Sequence, residues 1–347
     1  MSLRESVAIR STQQQVCLHE GAEPIELAEL MAQVRTSPIT LPPPTHNVEG
    51  LPDIAPAPES DTLIRELGEL PQWQKLFEHH QFAVYVGQAT QFPTVVYEIA
   101  RQRERTFRSM LEGSGQELDR DHYDDHYLHL ILWDTSESCM VGGYRLGRTD
   151  ELLAEHGPSG LYLNQIFEFD PSFFEQVPML EIGRSFVVPE YQRHHLSLAL
   201  LWRGIAQYLV KEPRYRRVFG AVSISRLYLP TTVALLRDAL LEPESLVQAR
   251  APFVGELEQE ISRWLSDAAP MPGSNLNQIA RVAELDGKDM PVLVRHYQKL
   301  GAKFVAMGLD PHFNNTPAFV IRLDPADIPE RQFRRYFGEG GASYLAA

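Results

Sequence analysis

MLEIGRSFVVPEYQRHHLSLALLWRGIAQYLV, residues 179–210, is the stretch on which the fold turns. MLEIGRSFVV is apolar except at Glu181, Arg184 and Ser185, the composition of a buried strand. Pro189 and a polar turn stop it, and HLSLALLWRGIAQYLV reads as a strongly apolar helix. RVFGAVSIS, residues 217–225, is a second buried strand. The pattern continues upstream. FAVYVGQA (82–89) alternates like a strand, and Pro93 opens a long helix, VVYEIARQRERTFRSML, stopped by Gly113 and Gly115 in EGSG. YLHLILWDTSESCMVGGYRLGR (127–148) reads as a hairpin, and DELLAEHG after it as a short helix. LIRELGELPQWQKLFEHH (63–80) is predicted helical with an interruption at Pro71. Downstream, a largely helical insertion spans about 230–290, then come the helix PVLVRHYQKLGA and the strands KFVAMGLD and AFVIRL. Strands and helices alternating in this way predict one α/β or α+β sheet rather than a bundle or sandwich.

The rest of the chain sets limits. Its 347 residues are 44% hydrophobic and 22% charged, enough apolar material for a substantial core. A net charge of −14 and a pI near 5.3 argue against a general nucleic-acid binder. Two cysteines, Cys17 and Cys139, make no disulfide framework and fit a reducing cytosol. No apolar run approaches the ~20 residues that cross a bilayer, and the N-terminus lacks the apolar core of a secretory signal. Residues 1–60, with SPITLPPPTHNVEGLPDIAPAPES at their end, are read as a disordered Pro-rich tail carrying at most a short helix at Ile25–Arg35. The globular domain is expected over 61–330, with 331–347 as a C-terminal tail.

Four clusters carry candidate chemistry. Arg103 and Phe107 share a helix face four residues apart, where the arginine either pins a carboxylate or is an ordinary surface charge. The loop ELDRDHYDDHY (117–127) gathers Asp119, Asp121, Asp124 and Asp125 around Tyr123. Such acid calls for a cation, and without an EF-hand's spacing an amine or guanidinium suits it better than a metal. Arg145 follows two glycines in GGYRLG, a sign of close backbone approach. Glu181 and Arg184 lie in the buried strand. There a desolvated carboxylate gains a raised pKa and can act as a general base, or the two form a structural ion pair. The turn Gln192–Leu196 offers helix N–H groups to an anion. His129 and Asp134 match an HxxxxD spacing but sit in an alternating strand, so the match is coincidental. His194 and His195 lack a third metal ligand, and no metal is expected.

Taken in order, these motifs resemble the GNAT-type long-chain N-acyltransferases: autoinducer (acyl-homoserine-lactone) synthases, N-acyl amino acid synthases and ornithine-lipid N-acyltransferases. The ornithine-lipid, hemolysin-like branch is most similar. Its motifs are readable as RERTFR, DRDHYDDHYLHLILWD, VGGYRLG, LEIGRSFV and LLWRGI, with FGAVSIS and PVLVRHYQKLGAKF…LDPHF beyond them. The resemblance covers about residues 80–325. It implies an α+β GNAT-like fold, a central mixed and mostly antiparallel sheet flanked by helices. The implied reaction moves a long-chain (3-hydroxy)acyl group from a thioester to the α-amine of an amino acid, most naturally L-ornithine, giving lyso-ornithine lipid. The alternatives are an N-acyl amino acid or acyl-homoserine-lactone-type synthase with another amine acceptor, or a catalytically inactive lipid-binding scaffold.

Glu181 and Arg184 then become the catalytic candidates, with the oxyanion met by backbone N–H groups near Phe186 and Val187. Arg103, Phe107, Asp121, Asp124 and Arg145 organise the substrate pocket, and Trp202 walls the acyl cleft. QRHHLS stands where acetyl-CoA-binding relatives carry Q/R-x-x-G-x-G/A, which suits an acyl carrier protein donor over CoA. No cofactor is implied, since the donor is a substrate. Carrier protein is acidic, so docking calls for a local basic patch, for which Arg193, His194, His195, Lys211, Arg214, Arg216 and Arg217 are available. A cytoplasmic location is expected, with peripheral contact at the inner membrane face through the lipid product.

Overall fold

A computed structural model describes residues 15–16, 25–26, 39–47, 49–257 and 274–347. Eight strands form one sheet. They are β1 (Lys75–His79), β2 (Phe82–Gln88), β3 (Leu128–Asp134), β4 (Cys139–Arg148), β5 (Met179–Val187), β6 (Arg217–Ser223), β7 (Lys303–Asp310) and β8 (Thr316–Leu323). Their spatial order is β7-β8-β6-β5-β4-β3-β2-β1. Every neighbouring pair is antiparallel except β5–β6, which is parallel. The helices are α1 (Ser60–Glu69), α2 (Pro93–Arg108), α3 (Thr149–His156), α4 (Ser197–Lys211), α5 (Pro230–Leu240), α6 (Ser274–Ala283), α7 (Val292–Lys299), α8 (Glu330–Phe337) and α9 (Gly341–Ala346). This is the expected α+β sheet, mixed and mostly antiparallel.

The connection β5–α4–β6 makes the one parallel pair because an antiparallel hairpin needs only a short turn, whereas a parallel return needs a crossover element. α4 supplies it. Its Leu200, Leu201, Trp202, Ile205 and Leu209 are buried in the main core, and each such side chain contributes about 1.5–3 kcal/mol of burial. Two glycines admit the tight strand contacts. A Cβ at Gly142 of β4 would lie 2.4 Å from the Phe186 carbonyl oxygen, and one at Gly220 of β6 would lie 2.1 Å from that of Ile182.

Four expectations change. The helix expected through 63–80 ends at Glu69, because Pro71 cannot continue it, and Lys75–His79 turns back as the edge strand β1 on β2. Within the expected helical insertion, Val247–Ala249 instead pairs antiparallel with Phe167–Phe169. Residues 258–273 lie outside the described residues.

The Pro-rich stretch holds to the body well before residue 61. Ile39 is buried in the main core, Arg226 Nη2 donates to the Pro42 carbonyl at 2.7 Å, and Ala55 N–H donates to the Glu117 carbonyl at 3.1 Å. An extended Pro-rich chain has no internal hydrogen bonds, so its carbonyls and N–H groups are free to make these. Of the helix expected at Ile25–Arg35, only Ile25 and Glu26 are described, and they pair with Gln15–Val16.

The segment 331–347 is no tail. Phe333, Tyr336 and Phe337 share one face of α8, where Tyr336 and Phe337 are buried. Gln207 Nε2 of α4 donates to the Tyr336 and Phe337 carbonyls at 3.1 and 3.0 Å. Tyr344 of α9 is buried, and its hydroxyl donates to the Tyr215 carbonyl at 2.8 Å.

Candidate active site

The site begins where the parallel pair comes apart. β5 and β6 are in register from Met179↔Arg217 to Ile182↔Gly220 and no further. β5 continues along β4 to Gly142↔Val187, while β6 continues along β8 to Ala318↔Ser223. The strands therefore diverge after Ile182. The wedge between them holds a cleft lined by Glu181 and Gly183–Ser185 on one side and Ala221–Ser223 on the other. Phe107, Tyr162, Asp310 and Phe313 cover it.

A β-bulge shapes this wedge. Gly143 pairs with Phe186 and Arg145 with Gly183, so β5 carries one residue more than β4 across this interval. Arg184 sits in the left-handed region at φ 49°. In a regular strand, residues three apart point to opposite faces. The extra residue re-aims Arg184, so that both it and Glu181 reach the Tyr127/Tyr162 side.

Glu181 is 2% exposed. Its Oε2 accepts from the Tyr127 hydroxyl at 2.6 Å and its Oε1 from the Leu163 N–H at 3.0 Å. Burial pushes its carboxyl up to about 7, against the lowering effect of those donors and of Arg145. Its carboxylate is held rigidly, and among the described residues it forms no ion pair. The Glu181–Arg184 pair considered from the sequence is not formed. Arg184 instead lies between the rings of Tyr162 and Phe313, 4.7 and 4.6 Å from their centroids. Asp119 and Asp121 are each 3.6 Å away.

Arg103 is 1% exposed and not a surface charge. It grips both oxygens of Asp124 at 2.8 and 2.7 Å, and its Nε donates to the Asp119 carbonyl at 3.1 Å. Arg145 Nη1 reaches Asp121 at 2.5 Å and Asp124 at 3.3 Å. The guanidinium of Arg145 sits about 5 Å from the rings of Tyr127 and Tyr162, at 5.1 Å in each case. Burial alone would raise the Asp124 and Asp121 carboxyls, but the adjacent arginines overcome it. Asp124 is held well below the carboxylate range and Asp121 below it. Asp121 and Asp124 also cap each other's backbone at the short turn His122–Asp125. The acidic loop thus spends its charge on the protein's own arginines.

Phe107 lies edge-on to Phe313 at 4.9 Å and lines the cleft. Phe186 and Val187 are paired to β4 beyond the bulge. The cleft itself is edged by Gly183, Arg184 and Ser185, the residues just before the two expected positions. Trp202 also moves. It is packed in the core with His296, Tyr297 and Tyr336 at 5.3, 5.5 and 6.3 Å, and is not among the cleft's lining residues.

The basic patch divides. Arg214 pairs with Asp150 and Glu151, Arg217 with Asp324, Arg216 with the Tyr344 carbonyl, and Lys211 with the Trp73 carbonyl. They stand at the far end of α4 from Arg193, His194 and His195, and 15 helical residues span about 22 Å. Of the seven, Arg193 and His195 are exposed at the end nearer the cleft-edge strand β5. No group of His, Cys, Asp and Glu able to hold a metal occurs among the described residues. His129 Nε2 meets the Asp124 carbonyl oxygen at 2.8 Å, and burial pushes the ring down to about 4. Asp134, about 17 Å along the same strand, caps the turn at Ser136 and Glu137.

Sequence reasoning missed Tyr127, Tyr162, Leu163 and Asp310. Asp310 and Phe313 stand in LDPHF, so a signal for them existed. Tyr162 had none, because it reaches the site from an irregular segment between α3 and β5.

Comparison with known proteins gives this geometry a family. Residues 102–203 match the acetyltransferase (GNAT) domain model. A glycine N(alpha)-acyltransferase of Bacteroides thetaiotaomicron is 32% identical over 62% of this chain and 69% of its own length. The chain belongs to the GNAT acyltransferases. It is a GNAT N-acyltransferase in fold and in catalytic class. An L-ornithine N(alpha)-acyltransferase of Agrobacterium fabrum is 29% identical over 68% of this chain and 77% of its own. Among solved structures, an N-acyl amino acid synthase from uncultured soil microbes aligns with 73% of this chain and 98% of its own, at 9% identity and a TM-score of 0.38. No helix among the described residues is long and apolar enough to cross a membrane.

Proposed function

We propose that this GNAT enzyme transfers a long-chain (3-hydroxy)acyl group from an acyl carrier protein thioester to the α-amine of an amino acid, with L-ornithine as acceptor and lyso-ornithine lipid as product. The observation that carries the reading is Glu181. It is a buried carboxyl without a cation partner among the described residues, fixed by Tyr127 and Leu163 in the wedge between β5 and β6.

Aminolysis of a thioester needs an unprotonated amine, a donor for the oxyanion and an exit for the thiol. Glu181 takes the ammonium proton, directly or through water, and a carboxyl brought up to about 7 is matched to that task near neutral pH. The amine nitrogen then attacks the thioester carbonyl and the C–N bond forms. Collapse of the tetrahedral intermediate breaks the C–S bond, and the second proton shed by the nitrogen ends on the leaving thiolate as free thiol. Backbone N–H groups on the unpaired edge of β5 at Gly183–Ser185 are placed to meet the oxyanion. Arg193 and His195 at the near end of α4 would receive the acidic carrier.

A glycine acceptor is the second reading. It is supported by the 32% identity to a glycine N(alpha)-acyltransferase and by the engagement of Asp119, Asp121 and Asp124 with Arg103 and Arg145. The test is free-thiol release from 3-hydroxyacyl carrier protein, scanned over amino acids, with the same acyl group on CoA as control. Release dependent on ornithine and carrier protein is the expected result. Release with glycine alone would move the acceptor to the second reading, and none with any pair in folded protein would end the enzymatic one.

A further inference from the structure

Within the cleft, one cation and two acids have been left with unused capacity. A guanidinium has five N–H donors. That of Arg184, in a side chain 7% exposed, makes one hydrogen bond among the described residues, from Nη2 to the Tyr162 hydroxyl at 3.2 Å. Its Nε is buried without a hydrogen-bond partner. Asp119 and Asp121 at 3.6 Å are beyond hydrogen-bonding reach. The Tyr162 and Phe313 rings both lie against it, and the backbone is left-handed at φ 49°. Backbone strain of this kind, about 1–3 kcal/mol for a non-glycine residue, persists where the surroundings over-determine it and gathers at functional sites.

Glu181 and Asp310 line the same cleft. Asp310 accepts from the Tyr162 hydroxyl at 2.6 Å and from the His312 N–H at 3.0 Å, and it has no ion pair among the described residues. The cleft therefore offers a guanidinium with donors to spare beside two carboxyls that form no ion pair among the described residues. A zwitterion, with its ammonium and carboxylate a few ångströms apart, complements that pattern, whereas a simple amine would leave Arg184 unmatched.

We infer that Arg184 binds the α-carboxylate of the amino-acid acceptor, placing the α-ammonium between Glu181 and Asp310. This rests on the proposed N-acyl transfer and assigns the residue that makes a free carboxylate a condition of being a substrate. A planar fork matches a carboxylate through two parallel hydrogen bonds, which a lysine ammonium cannot reproduce.

The experiment compares each acceptor with its own α-carboxamide, with 3-hydroxyacyl carrier protein as donor and thiol release as readout. The amide keeps the size and the amine but loses the negative charge. Its amine is also the less basic, so more of it is unprotonated at neutral pH, and the acceptor KM separates recognition of the carboxylate from amine reactivity. Wild type is expected to favour the acid by about 10²-fold in kcat/KM, since a site built around a polar group rejects the analogue lacking it. Arg184→Gln is expected to abolish most of that preference through the acceptor KM, with the donor KM unchanged, and Arg184→Lys to restore only part of it. Equal use of acid and amide by wild type overturns the inference without needing any variant to fold. So does an Arg184→Gln enzyme that keeps the wild-type ratio. Thiol release with no acceptor at all defeats instead the proposed function beneath it.

Discussion

Two neighbouring sets of the same residue types behave differently in this molecule. In one, Arg103 and Arg145 are closed on Asp124 and Asp121, with Asp119 alongside. In the other, Glu181, Asp310 and Arg184 line the cleft and make few bonds among themselves. Buried charge is tolerable when paired and hydrogen-bonded, so the closed set serves as scaffold, tying α2, the acidic loop and β4 together. The open set has donors and acceptors to spare, and spare capacity inside a cleft is what a reaction requires.

Breaking the open set should affect turnover first. Glu181→Gln is expected to lower kcat by about 10²-fold or more while the thermal melt stays near wild type. A turnover close to normal would remove Glu181 from the reaction. Breaking the closed set should act on the fold. Asp124→Asn leaves Arg103 and Arg145 short of charge in a buried site, an expected loss of about 3–5 kcal/mol in urea unfolding. A variant as stable as wild type would show that the network is dispensable.

Tyr127→Phe sharpens the boundary between the sets. Its hydroxyl holds down the Glu181 carboxyl, so removing it raises that pKa above about 7. At neutral pH turnover is expected to fall by about threefold to tenfold, recovering as pH rises, and a pH-independent loss would mean that Tyr127 acts otherwise. The smallest effect belongs to the docking surface. Arg193→Glu should raise the KM for carrier protein by a few fold and spare the CoA thioester. Arg217→Glu, which faces Asp324, should lower stability instead. A higher carrier KM from Arg217→Glu in equally stable protein would restore the wider patch.

Much of the scaffold was legible in the amino-acid order. The strand at 179–188, the helix after it, the strand at 217 and the hairpin at 127–148 all carry their periodicity in consecutive residues, and local pattern suffices for such elements. Glu181 was legible for the same reason, as a carboxylate set among apolar neighbours. The bulge at Arg184 was not. It depends on how β5 registers against β4, and register is a property of two strands. Pairing of Arg103 with Asp124 was likewise invisible as a bond, since 21 residues separate them. Composition misled at the ends of the chain. The Pro-rich segment can dock without a core of its own, and Phe337 and Tyr344 bury themselves on α4 from a segment otherwise rich in charge and glycine.

The pH dependence of single-turnover amide formation in wild type and Glu181→Gln bears most directly on the open carboxyl. A general base acts unprotonated, so the wild-type rate should fall about tenfold per unit below about pH 7. In Glu181→Gln the residual rate should lack that limb. An acid limb near 7 that survives unchanged in Glu181→Gln would contradict the assignment, and would point to a different titrating group, of which Glu112, also brought up to about 7 by burial beside Ser223, is the first to examine.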